Sequence, residues 1–410
     1  MAGTTPFVLY HFNQVSIVGV AANVLLVPLV GFVAVPLGLA VSAAAMLAGG
    51  VAAPALWLVV QVVQLALVIV DFFSGLSYAA AKTVTPSLLE VVLYYLTGWA
   101  LFNLRKSKPA FWVLAAALVV AAGDGLYWSY QRFWRDDLTV SAIDVGQGGA
   151  TLLELPKGTV ILYDGGGFAD NRLFDMGQRV VAPFLWRRKI ATVDVLVLSH
   201  PNADHLNGLI YIARHFGVRE LWTNGDVNDT WGYRELMAVC EENKIRVRQL
   251  DASCPPQDFG EVRLTVLHPP SGFFRRSATA RQGLRNNGSL VIEAGFGKTA
   301  FLLTGDIMAK AEKSLVERTG KDLAGTVLFA PHHGSKTSSS QSLVDAVQPP
   351  VVVISAGAGN RFGFPHAEVL DRYRAAGSRI LITGRQGAII MRSDGRDVQI
   401  QSFLANSSIP

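Results

Sequence analysis

The sequence predicts an α/β domain of two facing sheets with helices outside, preceded by a transmembrane α-helical segment. Three observations carry that reading. No Asp, Glu, Lys or Arg occurs before Asp71. From Leu138 onward, short apolar β-rich runs alternate with helical patterns. Several of those runs end in histidine or aspartate, which suit a site at the edge of a sheet better than a core.

The opening third comes first. Residues 1–137 hold only six basic residues (Lys82, Arg105, Lys106, Lys108, Arg132, Arg135) and five acidic ones (Asp71, Glu90, Asp124, Asp136, Asp137). Such a composition excludes a wholly soluble chain and assigns residues 1–130 to a bilayer and 138–405 to a second domain. Pro28, Pro36 and Pro54 interrupt the apolar run, so broken or re-entrant pieces are expected over 15–49. Three cleaner spans follow: LWLVVQVVQLALVIV with its continuation, LLEVVLYYLTGWALFNL and PAFWVLAAALVVAAGDGLYW. The basic loop RKSK, residues 105–108, separates the last two and is expected in the cytoplasm. The chain then belongs in the inner or plasma membrane, with its C-terminal domain on the extracytoplasmic, periplasmic or outer, face. No cleavable signal peptide is expected, because the N-terminus lacks a basic n-region.

In the second domain, VDVLVLS leads into His200, TAFLLTG into Asp306, and GTVLFAP into His332 and His333. The stretch SHPNADHLNG adds Asp204 and His205 at a helix start. Such residues suit one or two divalent ions, zinc or manganese, with His200, Asp204, His205, Asp306 and His332 as ligands. Asp306 is placed to bridge two ions, and Asp204 and Asp306 to serve catalysis at phosphorus or carbon. An adjacent pair such as His332 and His333 is expected to send only one side chain into the pocket. The segment GFGKTA, 295–300, lacks the first glycine of a phosphate loop and lies between strands, so it reads as a hairpin turn.

Seven ordered motifs, IDVGQGGATLL, ILYDGGG, LSHPNADHLNGL, RNNGSLVIEAG, FLLTGDI, APHHGSKTSSS and GNRFGFPHAEVL, resemble the metallo-β-lactamase-like domain of the ComEC-type DNA-uptake channels. Upstream, LYHFNQVSIVGVAANVLLVPLVG resembles the end of that family's membrane competence region. The resemblance implies a metallo-β-lactamase-like αββα sandwich outside the membrane, attached to a channel that passes single-stranded DNA inward. It further implies a nuclease acting on the strand that is not imported. The partners it implies are DNA (a single strand or the duplex being taken up), the lipid bilayer, other uptake components and a homo-oligomer. Asn202, Asp144, Asp164 and His333 fall at pocket positions. Because the family's chains are longer, a fragment or a shortened relative is expected.

The sequence departs from the family pattern at three places: Gly149 where an acid is common, Asn202 in place of histidine or aspartate, and Phe364 in place of the histidine before Pro365. Phenylalanine cannot ligate, and His366 lies two residues away as a substitute. Two other functions therefore stand beside the nuclease: a degenerate domain that guides DNA without cutting, and a metallohydrolase for another anionic ester. A net charge of +5 permits a polyanionic partner. The loop GFFRRSATARQGLRNN offers Arg275, Arg276, Arg281 and Arg285 to phosphates and Phe273 and Phe274 to bases. Trp186, Arg187, Arg188 and Lys189 form a second basic group, equally suited to closing a helix. Cys240 and Cys254 read either as a pair or as two free thiols.

Overall fold

The structure is a computed structural model and describes residues 3–47, 52–76, 78–171, 173–274, 284–323 and 325–404. The chain divides into two compact units, Met1–Val119 and Val120–Pro410. Elements of the first are α1 (Thr5–Phe12), β1 (Gln14–Ser16), α2 (Gly19–Val27), α3 (Val35–Leu47), α4 (Ala52–Ser74), β2 (Ala80–Lys82) and α5 (Leu88–Asn103). Helix α6 (Lys108–Phe133) passes from the first unit into the second.

Among the described residues, three helical stretches are long and apolar enough to cross a membrane: Gly19–Met46, Ala53–Ser74 and Lys108–Phe133. Their faces carry large apolar side chains that are more than half exposed, Phe32, Trp57, Val68, Trp112 and Val119 among them. Water would penalise that surface and lipid would not. The broken pieces expected over 15–49 are corrected to one continuous helix of 28 residues. A π-helical stretch, Pro28–Ala34, joins α2 to α3. Pro28 is the first residue of that stretch and keeps helical dihedrals, φ −62° and ψ −46°, so the missing N–H does not end the helix. Helix α5 is held by a capping box, Ser87 with Glu90, but has 16 residues. That is about 24 Å, short of the roughly 30 Å hydrocarbon thickness. Strands β1 and β2 pair antiparallel, and Lys82 Nζ donates to Gln14 Oε1 at 2.8 Å. Three-residue strands are too short for a periodicity to announce them.

Strands of the second unit form two sheets. One has eight strands: β3 (Leu138–Ala142), β4 (Thr151–Glu154), β5 (Val160–Tyr163), β6 (Thr192–Leu198), β7 (Gly217–Thr223), β8 (Arg246–Gln249), β16 (Ile389–Ser393) and β17 (Val398–Ser402), in the order β17-β16-β3-β4-β5-β6-β7-β8. The other has seven: β9 (Gln257–Phe259), β10 (Val262–His268), β11 (Val291–Phe296), β12 (Thr299–Leu303), β13 (Val327–Phe329), β14 (Val351–Ile354) and β15 (Arg379–Ile382), in reverse chain order. Helices of this unit are α7 (Ala182–Arg187), α8 (Ala203–His215), α9 (Trp231–Glu242), α10 (Leu284–Asn287), α11 (Ala309–Thr319), α12 (Gln341–Val347), α13 (Ala367–Ala375) and α14 (Thr383–Gln386).

Alternation along the strands builds the layers. Phe301, Leu303, Val327, Phe329 and Val353 meet Val140, Leu153, Ile161, Val197 and Trp222 of the eight-stranded sheet in one buried core. Leu302, Leu328 and Val352, one residue out of step, pack with Leu315, Leu343, Val344, Val369 and Tyr373 from α11, α12 and α13. The result is the expected αββα sandwich. GFGKTA is the β11–β12 hairpin, with Gly297 at φ 57°. Cys240 and Cys254 are both free.

Candidate metal centre

The strands β5, β6, β7 and β8 of one sheet, and β12, β13, β14 and β15 of the other, run parallel to one another. Parallel strands present their carboxyl ends together, which is where the polar residues gather. Asp164 follows β5, Ser199 and His200 follow β6, Asp306 follows β12, His332 and His333 follow β13, and Ser355 follows β14. Helix α8 begins beside them with Asp204 and His205, pressed close to the loop after Asp164. A Cβ on Gly208 would stand 1.9 Å from the Gly165 carbonyl oxygen, so only glycine permits that approach.

One ligand-competent atom from each of Asp204, His205, Asp306 and His333 lies within 4.8 Å of all the others. His205 Nε2 and His333 Nε2 stand 3.2 and 3.3 Å from Asp306 Oδ1, and 3.9 and 3.8 Å from Asp204 Oδ2. Ligands about 2.1 Å from one tetrahedral ion are roughly 3.4 Å apart, so the spacing fits a shared cation. On the opposite side of the carboxylate, His200 Nε2 and His332 Nε2 each lie 3.8 Å from Asp306 Oδ2.

Hydrogen bonds settle which nitrogen of each ring is free. Asp164 Oδ2 accepts from His205 Nδ1 at 2.7 Å and from Ser199 Oγ at 2.7 Å. Since the Ser199 hydroxyl proton goes to Asp164, its oxygen accepts from His200 Nδ1 at 3.0 Å. The Ser355 carbonyl can only accept, so His333 Nδ1 donates to it at 2.8 Å. Three rings are thereby held with Nε2 facing the cavity. Those three Nε2 atoms and Asp306 Oδ1 are buried without a hydrogen-bond partner among the described residues. Buried acceptors facing one another are costly unless a positive charge lies between them, and a divalent cation answers that need.

Electrostatics agree. Burial would push the His205 imidazole down, yet Asp306, Asp164 and Asp204 hold it well above the usual histidine range. Burial would raise Asp306, yet His205 and His333 hold it well below the carboxylate range. Burial, followed by repulsion from His205, drives His200 well below its ordinary value. The field thus favours positive charge beside Asp306.

Most of the expected site residues do meet, with corrections. His332 and His333 both reach Asp306, one to each oxygen, against the expectation that only one could enter. Both have left-handed backbone, φ 49° and 57°, a costly conformation of the kind that gathers at functional sites. His333, expected at the pocket wall, supplies the closer nitrogen. His366 opens α13 without a side-chain capping bond and does not join the cluster; its ring centre stands 5.5 Å from that of Phe364. Phe364 stacks on His333 at 6.3 Å and 26°, and its ring offers no ligand atom. A Cβ on Gly149 would come within 3.2 Å of His205 Nδ1, so this glycine lets the ring seat against Asp164. Asp144 accepts from its own loop at Gly146 N, 3.1 Å, and burial pushes its carboxyl up.

Asn202 opens α8 without capping it. Its amide instead donates to Asn286 Oδ1 at 3.0 Å, and Asn286 Nδ2 lies 3.3 Å from His332 Nε2. Asn286 lies in the motif RNNGSLVIEAG, but nothing in that motif assigned it a role at the pocket. Arg285 lies on α10, whereas Arg275, Arg276 and Arg281 fall outside the described residues. Phe273 and Phe274 are both half-buried. Phe273 packs edge-on against His268 at 5.5 Å, and Phe274 sits against Gly288.

Residues 143–358 match the metallo-beta-lactamase superfamily and residues 1–108 match the Competence protein family. Among curated relatives, ComE operon protein 3 of Bacillus subtilis is 25% identical over 413 residues, covering 96% of this chain and 51% of that protein. Recombination protein 2 of Haemophilus influenzae is 28% identical over 412 residues, covering 93% and 48%. Competence protein ComA of Neisseria gonorrhoeae is 29% identical over 255 residues, covering 62% and 32%. The chain spans about half the length of the first two. Among solved structures, CmlA, a diiron beta-hydroxylase from Streptomyces venezuelae, is 15% identical with a TM-score of 0.40, covering 78% of this chain and 65% of that one. With a matched metallo-beta-lactamase domain over more than half its residues, set behind a competence-type segment, the chain belongs to the metallo-beta-lactamase superfamily.

Proposed function

We propose that residues 138–405 are a metal-dependent phosphodiesterase that cuts DNA, a nuclease of a DNA-uptake channel acting on the strand that is not carried inward. The observation that carries this reading is the set of three buried Nε2 acceptors facing Asp306. His205, His333, Asp306 and Asp204 would hold one zinc or manganese ion, and His200 and His332 would hold a second across Asp306. When bound, such ions supply Lewis acidity to a phosphoryl oxygen and lower the pKa of water.

The chain's own residues do the rest. Asp164, Ser199 and the Ser355 carbonyl orient the imidazoles. Asp204, whose side chain is 34% exposed, stands at the rim and is placed to take a proton from an attacking water. The names of the competence relatives support DNA as substrate, and the basic loop at residues 105–108 supports an extracytoplasmic position for this domain, in the inner or plasma membrane.

The full chain, purified in detergent, should carry one or two divalent ions and cleave DNA when zinc or manganese is supplied. Absence of both bound metal and cleavage would sink the proposal. Alkaline phosphatase fused after residue 140 should be active, and fused at Lys106 inactive; the reverse pattern would overturn the orientation.

A second reading, strand binding without cleavage, is favoured by the Asn202–Asn286–His332 chain and by Phe364, whose ring offers no ligand atom. It predicts DNA binding with no turnover under any divalent ion.

A further inference from the structure

A second cavity, lined by both aromatic and basic residues, lies far along the chain from the metal centre, at the end of α6. This cleft of about 400 Å³ is bounded by the last two turns of α6, the β4–β5 turn and the segment after α7. Six basic residues line it, Arg132, Arg135, Arg187, Arg188, Lys189 and Arg392, against two carboxylates, Asp137 and Glu154. Both carboxylates are already engaged. Arg135 Nε meets Asp137 at 2.6 Å, Arg392 Nε meets it at 2.9 Å, and Arg188 meets Glu154 at 2.5 Å.

The cleft is therefore left with a cationic surplus. Arg132 donates through Nη2 to Thr192 Oγ1 at 2.6 Å, while its Nε is buried with no partner among the described residues. Arg187 is exposed and has no ion-pair partner among them. Lys189 holds its ammonium 5.5 Å from the centre of the Trp128 ring. A buried guanidinium N–H beside unbalanced positive charge calls for an anion.

The helix itself supplies the second line of argument. A crossing takes about 20 residues. Counted from Lys108, the hydrocarbon layer is crossed by about Tyr127 and Trp128, so the last turns stand at headgroup depth. Tyr127, Tyr130, Phe133 and Trp134 are each at least half exposed there, an aromatic collar of the sort that marks a membrane interface. Arg132 and the cleft come on the following turn. The wall is fixed in place: Gly158, at φ 96°, has its missing Cβ position 2.8 Å from the Phe133 ring.

We propose that this cleft binds the phosphate-bearing headgroup of an anionic phospholipid, seating the end of α6 at the bilayer surface. Arg132 Nε and Arg187 contact the phosphate, and the aromatic collar packs beside the acyl chains. This inference uses none of the metal-centre residues and is independent of nuclease activity.

The full chain in detergent micelles, with no divalent ion added, is titrated with short-chain phosphatidylglycerol and, separately, short-chain phosphatidylcholine. Saturable binding of the phosphatidylglycerol alone is expected. Arg132→Gln with Arg187→Gln should weaken it by about thirtyfold, each arginine near a lipid phosphate contributing roughly a factor of five. Should the double variant fail to fold, the exposed Arg187→Gln alone should weaken binding about fivefold. The proposal is overturned if phosphatidylcholine binds equally or if the folded variants bind as the parent does. It is also overturned if inorganic phosphate displaces the lipid at equal concentration, which would mark a free-anion site, or if a short single-stranded oligonucleotide does so.

Discussion

Two regions of the sandwich bury ionisable groups to the same depth and treat them in opposite ways. Between α11 and α13, Glu312 is fully buried, and its two oxygens accept the backbone N–H groups of Ser339 and Ser340 at 2.6 and 2.8 Å. Near α10, His268 is 1% exposed; its Nε2 donates to the Asn287 carbonyl at 2.7 Å and its Nδ1 accepts from Arg318 at 3.2 Å. At the strand ends, Asp306 and three histidines are equally buried, and each keeps an unpartnered acceptor turned toward the others. Burial alone does not mark a functional residue. What marks it is burial with the hydrogen bonds on one side complete and the other side left open.

The largest expected effect separates the two regions directly. Asp306→Ala should abolish bound metal and lower any phosphodiester cleavage by on the order of a thousandfold or more. Glu312→Gln, at an equally buried carboxylate, should lower stability by about 2 kcal/mol and leave metal content unchanged. Metal loss in both variants would erase the distinction.

Next is the pH dependence of His268, which burial and the Arg318 cation lower from 6.5 to about 4. The unfolded imidazole therefore takes up a proton before the folded one does. Stability from this residue is complete above pH 6.5 and is lost as pH falls toward 4, by about 3 kcal/mol in all. Thermal unfolding of the full chain across that range should show the loss. His268→Gln should remove it, and an unchanged slope would contradict the assignment.

Smaller still is the effect of Asp164→Asn, which frees the His205 tautomer while leaving every ligand in place. Metal affinity should fall by about 10- to 100-fold with little change in folding. An affinity within twofold of the parent would show that the Asp164 contact serves packing only. The smallest change is Asn202→His, which restores an imidazole on the His200 side of Asp306. It should raise affinity for a second ion by about tenfold. If the ion count stays at one per chain, the Asn202–Asn286 pair is not what limits occupancy.

Local pattern carried much of this to the surface of the sequence. The charge-free opening marked the membrane helices, and short apolar β-rich runs marked the strands, because those signals repeat within one element. The residues that end β6, β12 and β13 stood out because histidine and aspartate are foreign to apolar runs. Pro28 misled, since a proline constrains one turn whereas the course of the whole helix depends on how neighbouring turns absorb it.

By itself, then, the sequence determined which segments face lipid, which form strands, and which side chains are chemically able to bind a cation. Only the tertiary structure decided that His333 comes closer than His332, that His366 stands outside, that Asn286 joins Asn202, and that the basic residues around α7 meet the end of α6. The reason is range. Propensity and periodicity act over a few residues, whereas the meeting of side chains from β5, β6, β12, β13 and β14 is settled by the packing of two sheets, and no local window contains it.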